Sequence, residues 1–511
     1  MTDDHFHMES LEAFECDLKA AGFAPVSAVN QSRWRGPIHE AFAPLTAATT
    51  MDIMIVEGWP FRPPALFVDG LDTNHSTLGG FVCMWQDGDS SRDWETAEGF
   101  FSRIEEWCES AEHGWEGDDL GYDAFLNFQR KLPIVVTFDR DELGIHRGGW
   151  GDLHGVVNRA PPRIDVGPGR ARSSNHLRGL WFHPSRLTTP PPRQLSEVFR
   201  CLSRAQAKPL RRQLDDRRRP EPFVSSGGVD FILFCWERYE AKDALVMACA
   251  GMNNDVEAIA LQPGPTDENN LIARAGPDAP VLRTIRATMF GAGALGGYVG
   301  TTLAESGLGH LDIVDGDVLL PENVVRHVAG HDQVGKPKVQ AVHHVIEKHA
   351  PWTEVGEFPE APMTPGRICE LISSADIVID ATGNDAFVPA LAMVAEKWRK
   401  PLVSGALYRG GSVARVQRQV LAGDTPIHLR EEGAKYPVIP GGDGRNDFAT
   451  PALGCSAPVN NAPPASVIGC ASLIVQVVVD TLANRFEFND EVVDIYRSIA
   501  EVPFDRVGRL V

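Results

Sequence analysis

A glycine run that ends an apolar stretch, Met289-Phe290-Gly291-Ala292-Gly293-Ala294-Leu295-Gly296-Gly297, constrains this chain more than any other feature. Thr284 to Phe290 is rich in apolar and β-branched residues and reads as a strand. Tyr298 to Glu305 reads as a helix ending near Gly307 and Gly309, and His310 to Val314 reads as a second strand. Strand, glycine turn, helix and strand in this order let the backbone approach a phosphate, with the helix N-terminal N–H groups aimed at it. Asp315 closes the second strand nineteen residues past Gly296, where such units hold a ribose. Gly291, Gly293 and Gly296 by themselves establish only a nucleotide, and an NAD- or FAD-linked oxidoreductase fits them too.

The residues behind the turn separate the alternatives. Asp315-Gly316-Asp317 is followed by Asn323, Arg326 and Gly335-Lys336-Pro337-Lys338. Cations at these places have no task in hydride transfer, whereas an enzyme that polarises the phosphates of ATP needs them. Over roughly residues 275 to 485 this order resembles the adenylating core shared by ThiF and MoeB proteins and the ubiquitin-activating enzymes. The resemblance implies a Rossmann-like domain that uses ATP and Mg²⁺. Gly291, Gly293 and Gly296 lie at the nucleotide, Asp315 holds the ribose with Asp317 beside it, and Asn323, Arg326 and Lys338 face the phosphates. It also implies a homodimer through this domain, with one of Arg274, Arg283 and Arg286 reaching across to the partner's ATP.

One segment departs from that pattern. The family carries Asp-Cys-Thr-Asp-Asn after the next strand, and its last Asp helps to hold magnesium. Here the strand Ala375 to Ile379 runs into Asp380-Ala381-Thr382-Gly383-Asn384-Asp385, so that Gly383 stands where the acid is expected. Asp380 or Asp385 is then the metal-side carboxylate, with Asp380 also read simply as a strand-end turn former.

Farther on, 437–463 is a long loop rich in Gly, Pro and Asn that contains Cys455, and Ala465 to Ala483 reads as a helix. In ubiquitin-activating enzymes a crossover loop of this kind carries the first thioester cysteine. The resemblance gives that role to Cys455, while Cys470, inside the apolar helix, is expected to pack.

Composition bounds the rest. With 511 residues the chain calls for two to four domains. Lys plus Arg number 48 against 69 Asp plus Glu, a formal charge of −21 that disfavours nucleic acid as a partner. The nine cysteines include no Cys-x-x-Cys pair, which suits a reduced, cytoplasmic protein. The start is polar and acidic, and the apolar runs read as shorter than a membrane span, so no membrane association is expected.

Residues 1–130 carry a helix from Met8 to Ala21, strands across Ala41 to Val56 and Ala65 to Val68, and a Pro60-Phe61-Arg62-Pro63-Pro64 turn. His75, Gly79-Gly80, Cys83, Trp85 and a helix from Thr96 to Ser110 follow. This order resembles a ubiquitin-conjugating enzyme, which implies an α+β domain with Cys83 as thioester cysteine and His75 as the structural histidine before it. The usual His-Pro-Asn is missing, and Asn74 or a backbone donor is left to stabilise the oxyanion. The position of Cys83 among polar residues after Gly79-Gly80 suits an exposed loop. Residues 131–272, with a strand over Leu132 to Phe138, Pro190-Pro191-Pro192 and the charged Arg211 to Arg219 segment, read as a linker domain in which those two segments are solvated surface.

The expected architecture is thus an α/β multidomain chain: 1–130, 131–272 and an adenylation domain over 273–511. Order and motifs resemble the fused conjugating and activating proteins of bacterial anti-phage operons such as CBASS. This implies that a ubiquitin-like or operon-encoded protein is adenylated at its free C-terminal tail and relayed from Cys455 to Cys83, and then to a target lysine. A sulfur-carrier activator of the MoeB or ThiF type is the alternative, followed by the oxidoreductase.

Overall fold

The computed structural model describes residues 4–27, 32–85, 91–115, 124–171, 173, 175–185, 191–238, 241–362, 364–384, 386–420, 423–430, 449–451, 458–460 and 462–510. The chain divides between Asp267 and Glu268 into two compact units. The division falls five residues before the expected start of the adenylation domain, and the expected boundary at 130/131 lies inside the first unit.

The first unit opens with α1 (Asp4–Ala20), whose Phe14 and Leu18 are fully buried. A five-stranded antiparallel meander follows in chain order: β1 (Ala24–Pro25), β2 (Arg33–Pro37), β3 (Thr50–Met54), β4 (Ala65–Phe67) and β5 (Phe81–Val82). The helix α2 (Ala97–His113) starts on Thr96, whose hydroxyl accepts the Gly99 N–H. Trp34, Trp59, Phe100 and Trp107 fill the space between helices and sheet. The expected strand over Ala41 to Val56 begins only at Thr50, because His39 caps a 3₁₀ turn over Glu40–Phe42 and buries Phe42.

After α3 (Ala124–Asn127) the chain builds a closed seven-stranded barrel from β6 (Lys131–Phe138), β7 (Trp150–Arg159), β8 (Pro162–Pro168), β9 (Leu177–Phe182), β10 (Phe231–Arg238), β11 (Ala241–Ala250) and β12 (Glu257–Pro265). Their order around the barrel is β10-β11-β12-β6-β8-β7-β9. Between β9 and β10 lie α4 (Leu195–Cys201) and α5 (Arg204–Asp215), the latter opened by a Ser203–Gln206 capping box.

One segment expected to be solvated contains a buried anchor, and another buried anchor directly follows the second. Arg217 is 2% exposed and donates to the carbonyls of Val229, Cys249 and Gly251, with Asp230 beside it. Arg193, after the proline run, is buried and pairs with Asp72 at 2.7 Å. A guanidinium carries enough donors to satisfy several strand-end carbonyls at once, which charge counting does not reveal.

The second unit begins with α6 (Glu268–Ile272) and α7 (Ala279–Leu282) and then alternates strand and helix. In order come β13 (Arg286–Phe290), α8 (Ala294–Glu305), β14 (His310–Val314), α9 (Lys338–His349), β15 (Glu354–Phe358), α10 (Pro365–Ile372), β16 (Ile377–Asp380), α11 (Val388–Lys397), β17 (Leu402–Tyr408) and β18 (Val413–Gln419). A short hairpin, β19 (Ala449–Pro451) with β20 (Pro458–Asn460), precedes α12 (Pro464–Leu482), β21 (Glu491–Ile495) and β22 (Gly508–Leu510). The sheet order is β15-β14-β13-β16-β17-β18-β21-β22, with the first five strands parallel and the rest antiparallel. β13, β14 and β16 read as near-continuous apolar runs because helices cover both faces of the sheet.

By length and composition α12 could cross a membrane, with a mean hydropathy of 1.9, so the expectation of shorter apolar runs does not hold. Here α12 is a core helix: Val467, Cys470, Leu473, Ile474, Val477 and Val478 are buried among the residues of β13, α8 and β17.

Candidate functional site

Strand order in the second unit reverses at β13: the chain moves from β13 outward to β14 and β15, then returns to place β16 on the other side. Loops at the carboxyl ends of β13 and β16 therefore diverge and leave a crevice, the place where open α/β sheets bind ligands. A cleft of about 640 Å³ lies there, lined by the glycine turn, Asp315 to Asp317, Arg326, Lys338, Glu360, Thr382 to Asn384, and apolar Phe290, Leu295, Phe387 and Leu407.

Gly291 is left-handed, at φ +95°, and a Cβ there would stand 2.8 Å from the Ala381 carbonyl. Gly296 does not line the cleft. A Cβ on it would meet the Gly291 carbonyl at 1.9 Å, so this glycine lets α8 pack onto the turn. Gly293 is the N-cap of α8 and faces open space, on the cleft wall. The first amides of this 12-residue helix thus follow directly on the cleft wall, as an anion site requires.

Asp315 is half-buried, accepting the Ala292 N–H at 2.7 Å and the Asp317 N–H at 2.8 Å. Asp317 pairs with the Lys338 ammonium at 2.7 Å, and Lys338 is the first residue of α9. Arg326 ends a 3₁₀ turn over Pro321–Arg326, and burial pushes its guanidinium below its ordinary range while leaving it charged. The structure therefore places Gly291, Gly293, Asp315, Asp317, Arg326 and Lys338 around one cavity. Asn323 is outside it, its amide oxygen accepting the Leu320 N–H at 3.0 Å.

Asp380 also stands apart from the cleft lining. It is fully buried and accepts from the Ser404 hydroxyl at 2.7 Å and from the Thr382 hydroxyl at 2.7 Å, so that it anchors the loop under the cleft. Gly383, in the acid's expected place, is at φ +61° with open space before it. Asp385 and Cys455 lie outside the described residues. Among the described residues no group of three His, Cys, Asp or Glu side chains could hold a metal ion. Glycine cradle, cations and apolar wall suit a nucleoside triphosphate, whereas nothing among the described residues specifies how magnesium is held.

Three neighbours escaped the sequence reading. Glu360, on the cleft wall, is held by Arg367, whose Nη2 lies 2.6 Å from it. Asn384 accepts the N–H groups of Ala386 and Phe387 ahead of α11. His327 lies beneath the glycine turn, its Nε2 2.8 Å from the Ala292 carbonyl. A histidine directly after Arg326 was the available signal for the last. Of the upstream arginines, Arg283 is paired with Glu268 and Arg286 with Asp312, while Arg274 is exposed.

In the first unit Cys83 follows β5 directly, outside any helix or strand, and is half-buried. Its N–H donates to the His75 carbonyl at 2.8 Å, and its carbonyl accepts the Trp107 indole N–H at 3.1 Å. The structure thus joins the Cys83 and His75 segments through the backbone. His75 is left-handed at φ +58°, with its ring 4.3 Å from that of Trp115.

Fold and cleft together define a Rossmann-type nucleotide-binding domain. Residues 269–472 match the ThiF family.

Among similar proteins, the chain is 31% identical over 157 residues to the uncharacterized protein y4oA of Sinorhizobium fredii, covering 28% of this chain and 26% of that one. It is 35% identical over 127 residues to protein HesA of Leptolyngbya boryana, covering 25% and 46%. With the ATP-dependent ubiquitin transferase-like protein Cap2 of Pseudomonas aeruginosa it shares 31% over 124 residues, covering 24% and 22%. The chain thus spans less than half the length of these relatives. Among solved structures, E. coli MccB with ATP aligns at a TM-score of 0.36 and 15% identity, over 46% of this chain and 65% of that one.

Proposed function

We propose that this protein uses ATP to adenylate the C-terminal carboxylate of a ubiquitin-like or operon-encoded protein. The acyl group then passes to Cys455, on to Cys83, and finally to a target amine such as a lysine. The observation that carries the reading is the convergence of Arg326 and Lys338 with the glycine turn on one cleft. A carboxylate oxygen attacks the α-phosphorus, the bond to pyrophosphate breaks, and the two cations stabilise charge developing on the phosphates. A thiolate next displaces AMP to give a thioester, and a second thiolate takes the acyl group with release of the first. Placing both thiols on one chain raises their effective concentration.

Magnesium would supply Lewis-acid neutralisation of the phosphates. A homodimer formed through the ThiF domain, a cytoplasmic location and a role in anti-phage defence belong to the same reading. The sulfur-carrier alternative is favoured by one finding. The adenylyltransferase and sulfurtransferase uba4 of Aspergillus clavatus is 34% identical over 129 residues.

The test is mass spectrometry of the chain co-expressed with its operon neighbours, with and without thiol reductant, for wild type, Cys83→Ala and Cys455→Ala. A reductant-sensitive adduct on Cys83 that is lost in Cys455→Ala supports the relay. ATP consumption with no adduct on either cysteine favours the sulfur-carrier reading.

A further inference from the structure

We propose that His327 is a positioning residue, fixing the glycine turn to the segment that carries Arg326; its consequence for ATP rests on the reading of the cleft given above. His327 is buried and closes the 3₁₀ turn that ends at Arg326. The Ala329 N–H points at its Nδ1, 3.0 Å away. An N–H can bond only to a nitrogen that carries a lone pair, so Nδ1 is the acceptor and the ring proton is on Nε2. Nε2–H then donates to the Ala292 carbonyl at 2.8 Å. The imidazole is therefore neutral, in one tautomer, and bridges two loops.

Ala292 is the residue between Gly291 and Gly293, and it is held at both ends. Its carbonyl is bonded by His327 and its N–H by Asp315. A turn of glycines has wide conformational freedom of its own, so these two bonds select one geometry. The first turn of α8 also lies against this segment, since a Cβ on Gly297 would be 3.0 Å from Val328 Cγ1 and 3.6 Å from His327 Nε2. Fixing the turn and Arg326 to one ring sets the spacing between the phosphate cradle and the cation, where a shift of about 1 Å costs about a hundredfold in rate.

Protonation breaks this bridge, because Nδ1–H would face the Ala329 N–H. Burial acts first to hold the ring neutral, and the Lys338 ammonium on α9 adds to it, while the Ala292 carbonyl and the Asp315 carboxylate act in the opposite sense.

The experiment compares full-length wild type, His327→Ala and His327→Gln. Gln carries an amide donor and an amide acceptor in place of the two nitrogens of the neutral ring. Hydrogen exchange is followed for the peptide covering 290–297 without nucleotide, and ATP affinity is measured by calorimetry at pH 8. At least tenfold faster exchange in His327→Ala, with His327→Gln within threefold of wild type, is expected. ATP affinity should fall at least tenfold in His327→Ala and be restored in His327→Gln. Unchanged exchange in His327→Ala, or equal acceleration in both variants while both remain folded, overturns the inference whatever ATP does. Accelerated exchange in a protein whose wild type binds no ATP upholds the positioning role and overturns the ATP reading alone.

Discussion

Asp315 accepts the backbone N–H of Ala292 at 2.7 Å, so the acid expected to hold a ribose also ties the glycine turn to the end of β14. Its second oxygen holds the Asp317 N–H. Asp315→Asn keeps the shape but turns an amide N–H₂ toward one of these donors. Hydrogen bonds to a charged acceptor contribute about 1.5–3 kcal/mol. We expect ATP affinity to fall more than tenfold and the melting temperature to drop by several degrees, measured by calorimetry and thermal unfolding. A variant that loses affinity without any change in melting would mean that the carboxylate serves the ligand alone.

Two glycines of the turn differ in what an added methyl meets, and this makes a paired test. At Gly293 the space is open and on the cleft wall, so Gly293→Ala should fold normally and bind ATP more weakly. At Gly296 the methyl would collide with the Gly291 carbonyl at 1.9 Å. Gly296→Ala should be destabilised by about 1–3 kcal/mol or more, the range of overpacked cores. Denaturant unfolding and ATP titration of both variants separate the effects.

The turn was legible in the sequence because its chemistry is local: glycine spacing, a strand-end acid and following cations are read off neighbouring positions. Strand order and the crevice follow from the alternation of apolar runs with helices. What could not be read depends on partners distant in sequence. Arg217 looks like one more charge in a solvated run until Val229, Cys249 and Gly251 are seen to surround it. Asp380 reads from its motif as a metal-side carboxylate or a strand-end turn former, and its bond from Ser404, twenty-four residues on, is marked by neither. The seven strands of the barrel close by pairings such as β12 with β6 that no local pattern marks.

Arg217 and Asp230 are both buried, so the barrel depends on a charge that cannot be removed alone. Arg217→Met leaves Asp230 without its cation and leaves the carbonyls of Val229, Cys249 and Gly251 without their donor. Breaking a buried pair from one side costs about 3–5 kcal/mol. The variant should show a large drop in urea midpoint or accumulate insoluble, and an unchanged midpoint would contradict the anchoring role.

Thiol accessibility tests the placement of Cys83 without any partner protein. Burial pushes the thiols of Cys108, Cys235, Cys249 and Cys470 up to about 12, so their thiolate fraction at pH 8 is about one in ten thousand. Native iodoacetamide labelling should spare these four and modify exposed Cys16, with Cys83 labelled more slowly than Cys16 because it is half-buried. Peptide mapping reads the result. Labelling of any of the four before Cys83 would show that the domain opens locally.

Acid sensitivity of the N-terminal meander should centre on Asp52. Arg35 grips its carboxylate with Nε and Nη2 at 2.7 and 2.9 Å, and Arg33 adds a bond at 2.8 Å. The Arg35 bonds first, then those from Arg33, hold the Asp52 carboxyl below its ordinary range although burial opposes them. A folded-state value below the unfolded one stabilises the fold at every pH above the unfolded value of about 3.9, and this contribution is lost as pH falls through the folded value. Asp52→Asn should therefore lower stability by about 2 kcal/mol at pH 7, and should flatten the fall in stability between about pH 5 and pH 2. Urea unfolding across that range, followed by tryptophan fluorescence and by proteolysis within residues 32–85, measures the difference. Parallel curves for variant and wild type would place the acid sensitivity on other carboxylates.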